Sequence, residues 1–146
     1  MTPRLASLKN AVVRLREALA VTETDVSRDA AIQRFEFCFE LAWKTIQESA
    51  RSEGLDCQSP KGCLKLAFKT GWIEDEHGWL AMIEDRNRTT HTYDEQLARD
   101  VFRRLPGYLP LLETLLLKLR AGDLSQEQAD RLANEAKHRT RKLRRK

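Results

Sequence analysis

Apolar side chains near the start of the chain recur at alternating spacings of three and four residues. This spacing places them on one face of a helix, and its members are Leu5, Leu8, Val12, Leu15 and Leu19. Five charged residues lie off this stripe, namely Arg4, Lys9, Arg14, Arg16 and Glu17. The stretch therefore predicts a first amphipathic helix.

A second, longer segment is apolar over most of the helical circumference. Its main stripe comprises Ile32, Phe35, Phe39, Ala42, Trp43 and Ile46. Ser27 is placed to cap this helix and Gly54 to end it, and we predict that it is the central, most buried element. Within it Glu36, Glu40 and Lys44 stand four residues apart. We interpret them as a surface ion-pair ladder rather than part of an active site.

Boundary signals define the next two segments. Ser59-Pro60 is typical of an N-cap and first helical position, and Gly71 is typical of the residue after a helix end. In the following segment Trp79 and Met82 face one way, and Arg86 lies one turn further along the same side. The sequence thus predicts a short third helix and a fourth helix that ends near Arg86.

A long apolar repeat begins after the turn-forming stretch 89–94. Its members are Leu97, Val101, Leu105, Leu109, Leu112 and Leu116. Pro106 and Pro110 are expected to kink or break this helix. Beyond Gly122, the pattern Ser125-x-x-Gln128 resembles a capping box that starts a further helix.

The composition favours one helical domain. The chain has 146 residues with only six glycines and four prolines, enough for one core and too short for two ordinary domains. We predict an all-α, antiparallel up-and-down bundle of four to six helices over residues 1–122, followed by a C-terminal helix and basic tail over 123–146. The chain has no apolar run of about 18 residues and no signal-peptide core. We therefore expect a cytoplasmic protein without a membrane partner.

The net charge of +4 comes from the tail. Residues 137–146 hold seven Lys or Arg and no acid, which leaves 19 basic against 22 acidic residues elsewhere. Lys137, Arg139 and Arg141 are thus candidates for contacts with RNA phosphates. A solvated terminus that serves solubility is an equally good interpretation.

Cysteine and histidine spacing gives no metal site. Cys38, Cys57 and Cys63 are odd in number and lack C-x-x-C spacing, so we predict reduced thiols with neither a disulfide nor zinc. His77 has no second histidine at ligand spacing and is expected to be a surface residue.

The most informative chemistry lies in the stretch 86–93, RNRTTHTY. Arg86 can hold a phosphate through several N–H donors, and His91 can transfer a proton near pH 7 because the ordinary histidine pKa is about 6.5. Backbone N–H groups at a helix start near His91 would also favour a phosphate. The alternative is a structural helix junction in which Arg86 caps carbonyls and His91 is satisfied locally.

Several motifs in order resemble the HEPN-type nucleotidyltransferase substrate-binding proteins, which include HepT-like toxins. They are RDAAIQRFEF (28–37), FELAWK (39–44), SPK (59–61), AFKTGWI (67–73), Trp79 and DRNRTTHTYDE (85–95). The resemblance covers residues from about Leu5 to Leu119 and leaves out the tail. Pro106 and Pro110 depart from the smooth last helix expected of the family.

The resemblance implies a homodimeric bundle in which Arg-x4-His motifs from both subunits meet in a cleft. Arg86, Asn87 and His91 match the catalytic motif, with no metal or cofactor, and Arg88 is a further RNA-binding candidate. In the toxin branch the bundle is a ribonuclease. Its partner, a minimal nucleotidyltransferase antitoxin, silences it by attaching AMP to the tyrosine that Tyr93 matches here.

We therefore predict a HepT-like toxin, a metal-independent endoribonuclease that acts on tRNA or mRNA and leaves a 2′,3′-cyclic phosphate. One His and one Arg per chain provide few catalytic groups, so we expect activity to require a two-fold dimer, which supplies two of each. The alternative is a non-catalytic substrate-binding subunit of a nucleotidyltransferase complex.

Overall fold

A computed structural model shows five α-helices and one 3-10 helix in the described part of the chain. It describes the backbone of residues 2–145 and the side chains of residues 2–122, 131, 134 and 135. The elements are α1 (Pro3–Ala20), α2 (Asp25–Ser52), α3 (Pro60–Thr70), α4 (Glu76–Arg88), the 3-10 helix (Thr89–His91) and α5 (Glu95–Arg145). The predicted all-α class is confirmed.

α2 is the central helix, as its apolar circumference predicts. It packs against α1, α3, α4 and α5, and Phe35 and Phe39 are buried while Phe37 stays 48% exposed. The expected cap is wrong by one turn, because Thr24 is the N-cap and Ser27 is its N3 partner. Each of these two side chains accepts a hydrogen bond from the other's backbone N–H, which satisfies two amides at once and starts the helix earlier.

The boundaries of α3 are confirmed. The Ser59 hydroxyl accepts from the Gly62 N–H, Pro60 is the first helical residue, and Gly71 ends the helix with φ of 82°. Such a positive φ belongs to the left-handed region that glycine adopts without strain. This short helix brings Leu64 and Ala67 into the core.

The prediction of three reduced thiols is wrong for two of them. Cys57 and Cys63 form a disulfide with Cα atoms 5.0 Å apart, within the usual range for such a bond. The turn into α3 brings the two cysteines together. C-x5-C spacing alone does not predict that they are close. Cys38 is free and buried, and burial raises the pKa of its thiol to about 12. That thiol therefore stays protonated and acts as a small core residue.

The last helix is continuous, which overturns the expected break at the prolines and the expected new helix at Ser125. Pro106 and Pro110 lie inside α5 without ending it, and no new helix begins at Ser125 because α5 continues through Gly122. Both prolines are on the exposed face. Each proline removes one backbone hydrogen bond from the helix. The opposite face compensates, because Leu105, Tyr108 and Leu112 are buried in the core.

The basic tail lies beyond the residues whose side chains the structure describes. The side chains of Lys137, Arg139 and Arg141 lie outside the described residues, so their assignment to RNA binding stays a prediction, as does the division of the chain at residue 122. Within the described residues no helix is both long and apolar enough to cross a membrane.

Candidate active site

The predicted motif occupies the junction between α4 and α5. Arg86 and Asn87 lie in the last turn of α4, His91 ends the 3-10 helix, and Tyr93 follows it before α5 begins. Trp79, which is 2% exposed, anchors the first turns of α4 in the core. The motif is therefore carried on a helix end whose position the core fixes.

Three threonine hydroxyls tie this junction together. Thr89 donates to the carbonyl of Arg86 at 2.6 Å, and Thr90 donates to the carbonyl of Asn87 at 3.1 Å. Thr92 repeats the pattern on the carbonyl of Thr89 at 3.2 Å. Each bond adds a side-chain donor to a carbonyl at the end of α4 or in the 3-10 helix. The segment that separates Arg86 from the histidine is thus held by its own side chains.

His91 and Tyr93 form a pair on the surface. The Tyr93 hydroxyl lies 3.4 Å from His91 Nδ1, and the rings meet edge to face with centroids 5.9 Å apart. Both residues are exposed, Tyr93 by 84%. Because Nδ1 lies beside the phenol, the tyrosine contact leaves Nε2 available as a donor or an acceptor.

Arg86 is held from α2. Its Nη2 donates to Glu40 Oε1 at 3.3 Å, and its side chain is 26% exposed. The Nε atom is buried and has no hydrogen-bond partner among the described residues. Lys44 Nζ lies 4.0 Å from Glu40, so part of the predicted ladder exists. The ladder interpretation missed the contact with Arg86, because 46 residues separate the two side chains in sequence.

The sequence did not predict a structural role for Asp85, a buried carboxylate beside the motif. Asp85 is fully buried and accepts two hydrogen bonds of 2.7 Å from Arg104, one of 2.8 Å from Arg88 and one from the Tyr108 hydroxyl. Burial alone acts to raise the pKa of Asp85, but these donors outweigh it and lower that pKa. Asp85 therefore stays ionised and ties α4 to α5. Arg88 also lies 3.8 Å from Glu84, and its side chain is 44% exposed, so its assignment to RNA binding stays a prediction.

The start of α5 is not an open anion site. The carboxylate of Asp94 accepts from the backbone N–H groups of Gln96 at 3.0 Å and Leu97 at 3.2 Å. This cap satisfies the donors that a phosphate near His91 was expected to meet. The junction therefore offers the polar side chain of Arg86 rather than the capped amides of Gln96 and Leu97. The exposed amide of Asn87 is the other polar group of the motif there.

A cleft of about 620 Å³ opens between α2 and the turn that carries Tyr93. Its lining includes the acids Asp29 and Glu36 and no Lys or Arg; the other residues are Ala30, Ile32, Gln33, Thr92 and Tyr93. The acids make the cleft unfavourable for a bare phosphate chain. Within the described residues, no group of three or more His, Cys, Asp or Glu could hold a metal ion.

Comparison with known proteins gives a consistent match. The family model "Nucleotidyltransferase substrate binding protein like" matches residues 3–121. A curated relative, "Probable ribonuclease HepT" of Haemophilus influenzae, is 34% identical over 95 residues. That match covers 62% of this chain and 65% of the relative, so the chain spans slightly less than two thirds of it.

Two solved structures share the fold. A crystal structure of a protein from Thermus thermophilus has a TM-score of 0.73 and 45% identity, and the match covers 77% of this chain and 98% of that one. The structure of HI0074 from Haemophilus influenzae has a TM-score of 0.63 and 30% identity, with coverage of 80% and 94%. That protein is described as the substrate binding domain of a nucleotidyltransferase.

Proposed function

The chain belongs to the nucleotidyltransferase substrate binding protein-like family, and from that premise we propose that it is a HepT-like ribonuclease whose reacting groups are Arg86 and His91. The observation that carries the proposal is the junction itself. An arginine and an exposed histidine sit on one short segment fixed by threonine hydroxyls, and the similarity to a probable ribonuclease supports RNA as the substrate.

The proposed reaction uses the RNA's own 2′-hydroxyl as nucleophile. His91 removes the hydroxyl proton, the 2′ oxygen bonds to phosphorus, and the bond from phosphorus to the 5′ oxygen breaks. An acid then protonates the departing 5′ oxygen, and the product is a 2′,3′-cyclic phosphate. Arg86 stabilises the charge that develops on the phosphoryl oxygens, and Asn87 donates to the phosphate or orients the histidine.

The base and the acid come most simply from two copies of the chain. Each subunit contributes one Arg86 and one His91, so a two-fold dimer with the motifs facing each other supplies one imidazole for each proton transfer. The exposure of His91, Tyr93 and Phe37 supports a partner subunit on this side of the molecule. The dimer is part of the proposal.

Silencing by a nucleotidyltransferase antitoxin follows from the position of Tyr93. In the proposed modification the phenol oxygen bonds to the α-phosphorus of ATP, the α–β anhydride bond breaks, pyrophosphate leaves and the phenol proton passes to solvent. The 84% exposure of Tyr93 makes its hydroxyl accessible, and the adjoining cleft has room for a nucleoside. The added AMP would repel an RNA phosphate and alter the oxygen that contacts His91.

A non-catalytic substrate-binding subunit is the second candidate. Two observations favour it: HI0074 is described as a substrate binding domain, and Arg86 already contacts a carboxylate in this chain. This candidate predicts that the pure, unmodified protein binds its partner but does not cleave RNA. The cleavage assay therefore separates the two functions, whereas partner binding does not.

The test incubates purified protein with labelled tRNA and mRNA in EDTA, without partner, after intact mass has shown that Tyr93 carries no AMP. We expect cleavage with cyclic phosphate ends, and its loss in His91→Ala and Arg86→Ala. His77→Ala is the matched control, because His77 is an exposed histidine of α4 outside the motif. Cleavage that persists in His91→Ala would reject the assignment, and no cleavage by the unmodified protein would favour the binding subunit.

A further inference from the structure

Arg86 differs from the structural arginines of this protein in how many acceptors it has. Arg28 makes three hydrogen bonds with two carboxylates, and Arg104 makes two with Asp85. Arg86 makes one side-chain bond, to Glu40, and its buried Nε has no partner among the described residues. A guanidinium has five N–H donors. The Arg86 guanidinium is thus held by one hydrogen bond, and its other N–H donors have no partner among the described residues.

Glu40 is itself held from the other side. Its Oε2 accepts from the Trp43 indole N–H at 3.2 Å and lies 4.0 Å from Lys44 Nζ. Both partners come from α2, three and four residues further on, so they share a helical face with Glu40. The carboxylate is therefore fixed on α2, and Oε1 is the oxygen that meets α4.

We propose that Glu40 is a positioning residue for Arg86, an inference that rests on the proposed ribonuclease function. Glu40 holds one Nη2 N–H of the guanidinium on α2 while the other Nη donors bind the phosphoryl group, so the arginine reaches the phosphate already oriented. Orientation of a catalytic group lowers the barrier without a large effect on ground-state binding. Loss of the acceptor oxygen, rather than loss of negative charge, is the damaging change.

Two substitutions separate geometry from charge. Glu40→Gln keeps an acceptor oxygen and loses the charge, whereas Glu40→Ala loses both. Glu48→Ala is the matched control, because Glu48 lies on the same helix, is 39% exposed against 38% for Glu40, and also pairs with an arginine of another helix, Arg4 at 3.5 Å. All variants are compared with the wild-type protein for helical content by circular dichroism.

The kinetic test measures kcat and KM on RNA, together with Kd for a 2′-O-methyl RNA of the same sequence, which has no nucleophile. We expect Glu40→Ala to lower kcat by about 10- to 100-fold with Kd changed by less than about threefold, Glu40→Gln to retain most of the wild-type kcat, and Glu48→Ala to match wild type. An unchanged kcat in Glu40→Ala, or equal losses in Ala and Gln, would overturn the proposal.

A second readout keeps this inference separate from the ribonuclease proposal. The Arg86 Nε–Hε signal in an ¹⁵N NMR spectrum, assigned by its absence in Arg86→Ala, reports the environment of the guanidinium without any turnover. We expect it to move or broaden in Glu40→Ala and to stay in place in Glu48→Ala. A signal unmoved in Glu40→Ala rejects the positioning role even if RNA is cleaved. If the wild-type protein does not cleave RNA but the signal moves in Glu40→Ala, the ribonuclease proposal is rejected and the contact between Glu40 and Arg86 is retained.

Discussion

The end of α4 contains two regions that differ in burial and in bonding. Asp85 is fully buried and accepts hydrogen bonds from three side chains, two of them on α5. His91 and Tyr93, a few residues further on, are exposed and share one contact of 3.4 Å. The comparison shows a division of labour along one short stretch. The Asp85 cluster fixes the helix end, and the exposed pair is left accessible to a bound molecule.

The largest expected effect is on stability, in Asp85→Ala. The substitution leaves the partners of Asp85 on α4 and α5 without their acceptor, and we expect a loss of about 3 kcal/mol in the free energy of unfolding. Urea denaturation followed by circular dichroism measures it. Asp100→Ala is the control, because among the described residues Asp100 makes a 3.8 Å surface pair with Arg103 and a hydrogen bond with the Gln96 amide. Equal stability of the two variants would show that the buried cluster does not hold the fold.

The same cluster predicts a pH dependence. The pKa of Asp85 is lower in the folded protein than its ordinary value, so its contribution is present above the unfolded pKa of about 4 and is lost as pH falls through the folded pKa. We expect the stability difference between wild type and Asp85→Asn to shrink as pH falls below about 4. A difference that stays constant over that interval would contradict the assignment.

A smaller effect is expected for Tyr108→Phe. The change removes the hydroxyl that donates to Asp85 but keeps the ring, which stacks on Phe35 at a centroid distance of 5.6 Å. We expect a loss of about 1.5 kcal/mol, typical of a hydrogen bond to a charged group. Equilibrium unfolding measures it. Stability equal to that of wild type would mean that Arg104 and Arg88 alone satisfy the carboxylate.

The smallest effect on stability is expected in the exposed pair. His91→Ala and Tyr93→Phe remove surface groups with one weak contact, so each should change the unfolding free energy by less than about 0.5 kcal/mol. Under the proposed function His91→Ala nevertheless abolishes cleavage. A large stability loss in His91→Ala would instead favour the structural helix junction, because the histidine would then be needed for the fold.

Local signals predicted most of the helices. Ser59-Pro60 and Gly71 bracket α3 because capping chemistry depends on neighbouring residues alone. The cap of α2 was misplaced because Thr24 and Ser27 are both good capping residues, and the reciprocal pair decides between them. The continuity of α5 through Pro106 and Pro110 depends on burial of its opposite face, which propensity does not describe.

The sequence predicted the local part of the candidate site and missed the contacts between helices. Arg86, His91 and Tyr93 lie within eight residues and are visible as a motif, but the contacts of Arg86 and Asp85 join separate helices. Glu40 is 46 residues from Arg86, and Asp85 is 19 residues from Arg104. One signal for the Asp85 cluster was available in the sequence. Asp85 comes three residues after Met82, which places a carboxylate on the core-facing side of α4. Sequence spacing alone does not name the partners.

The threonine bonds also limit how the segment between Arg86 and His91 can change. Each bond joins a hydroxyl to the carbonyl three residues earlier, so all of them depend on the same register. Inserting one residue would rotate everything beyond it by about 100° around the helix axis and change the direction of the imidazole relative to α4. The length of this segment is therefore constrained by the same hydrogen bonds that hold its shape.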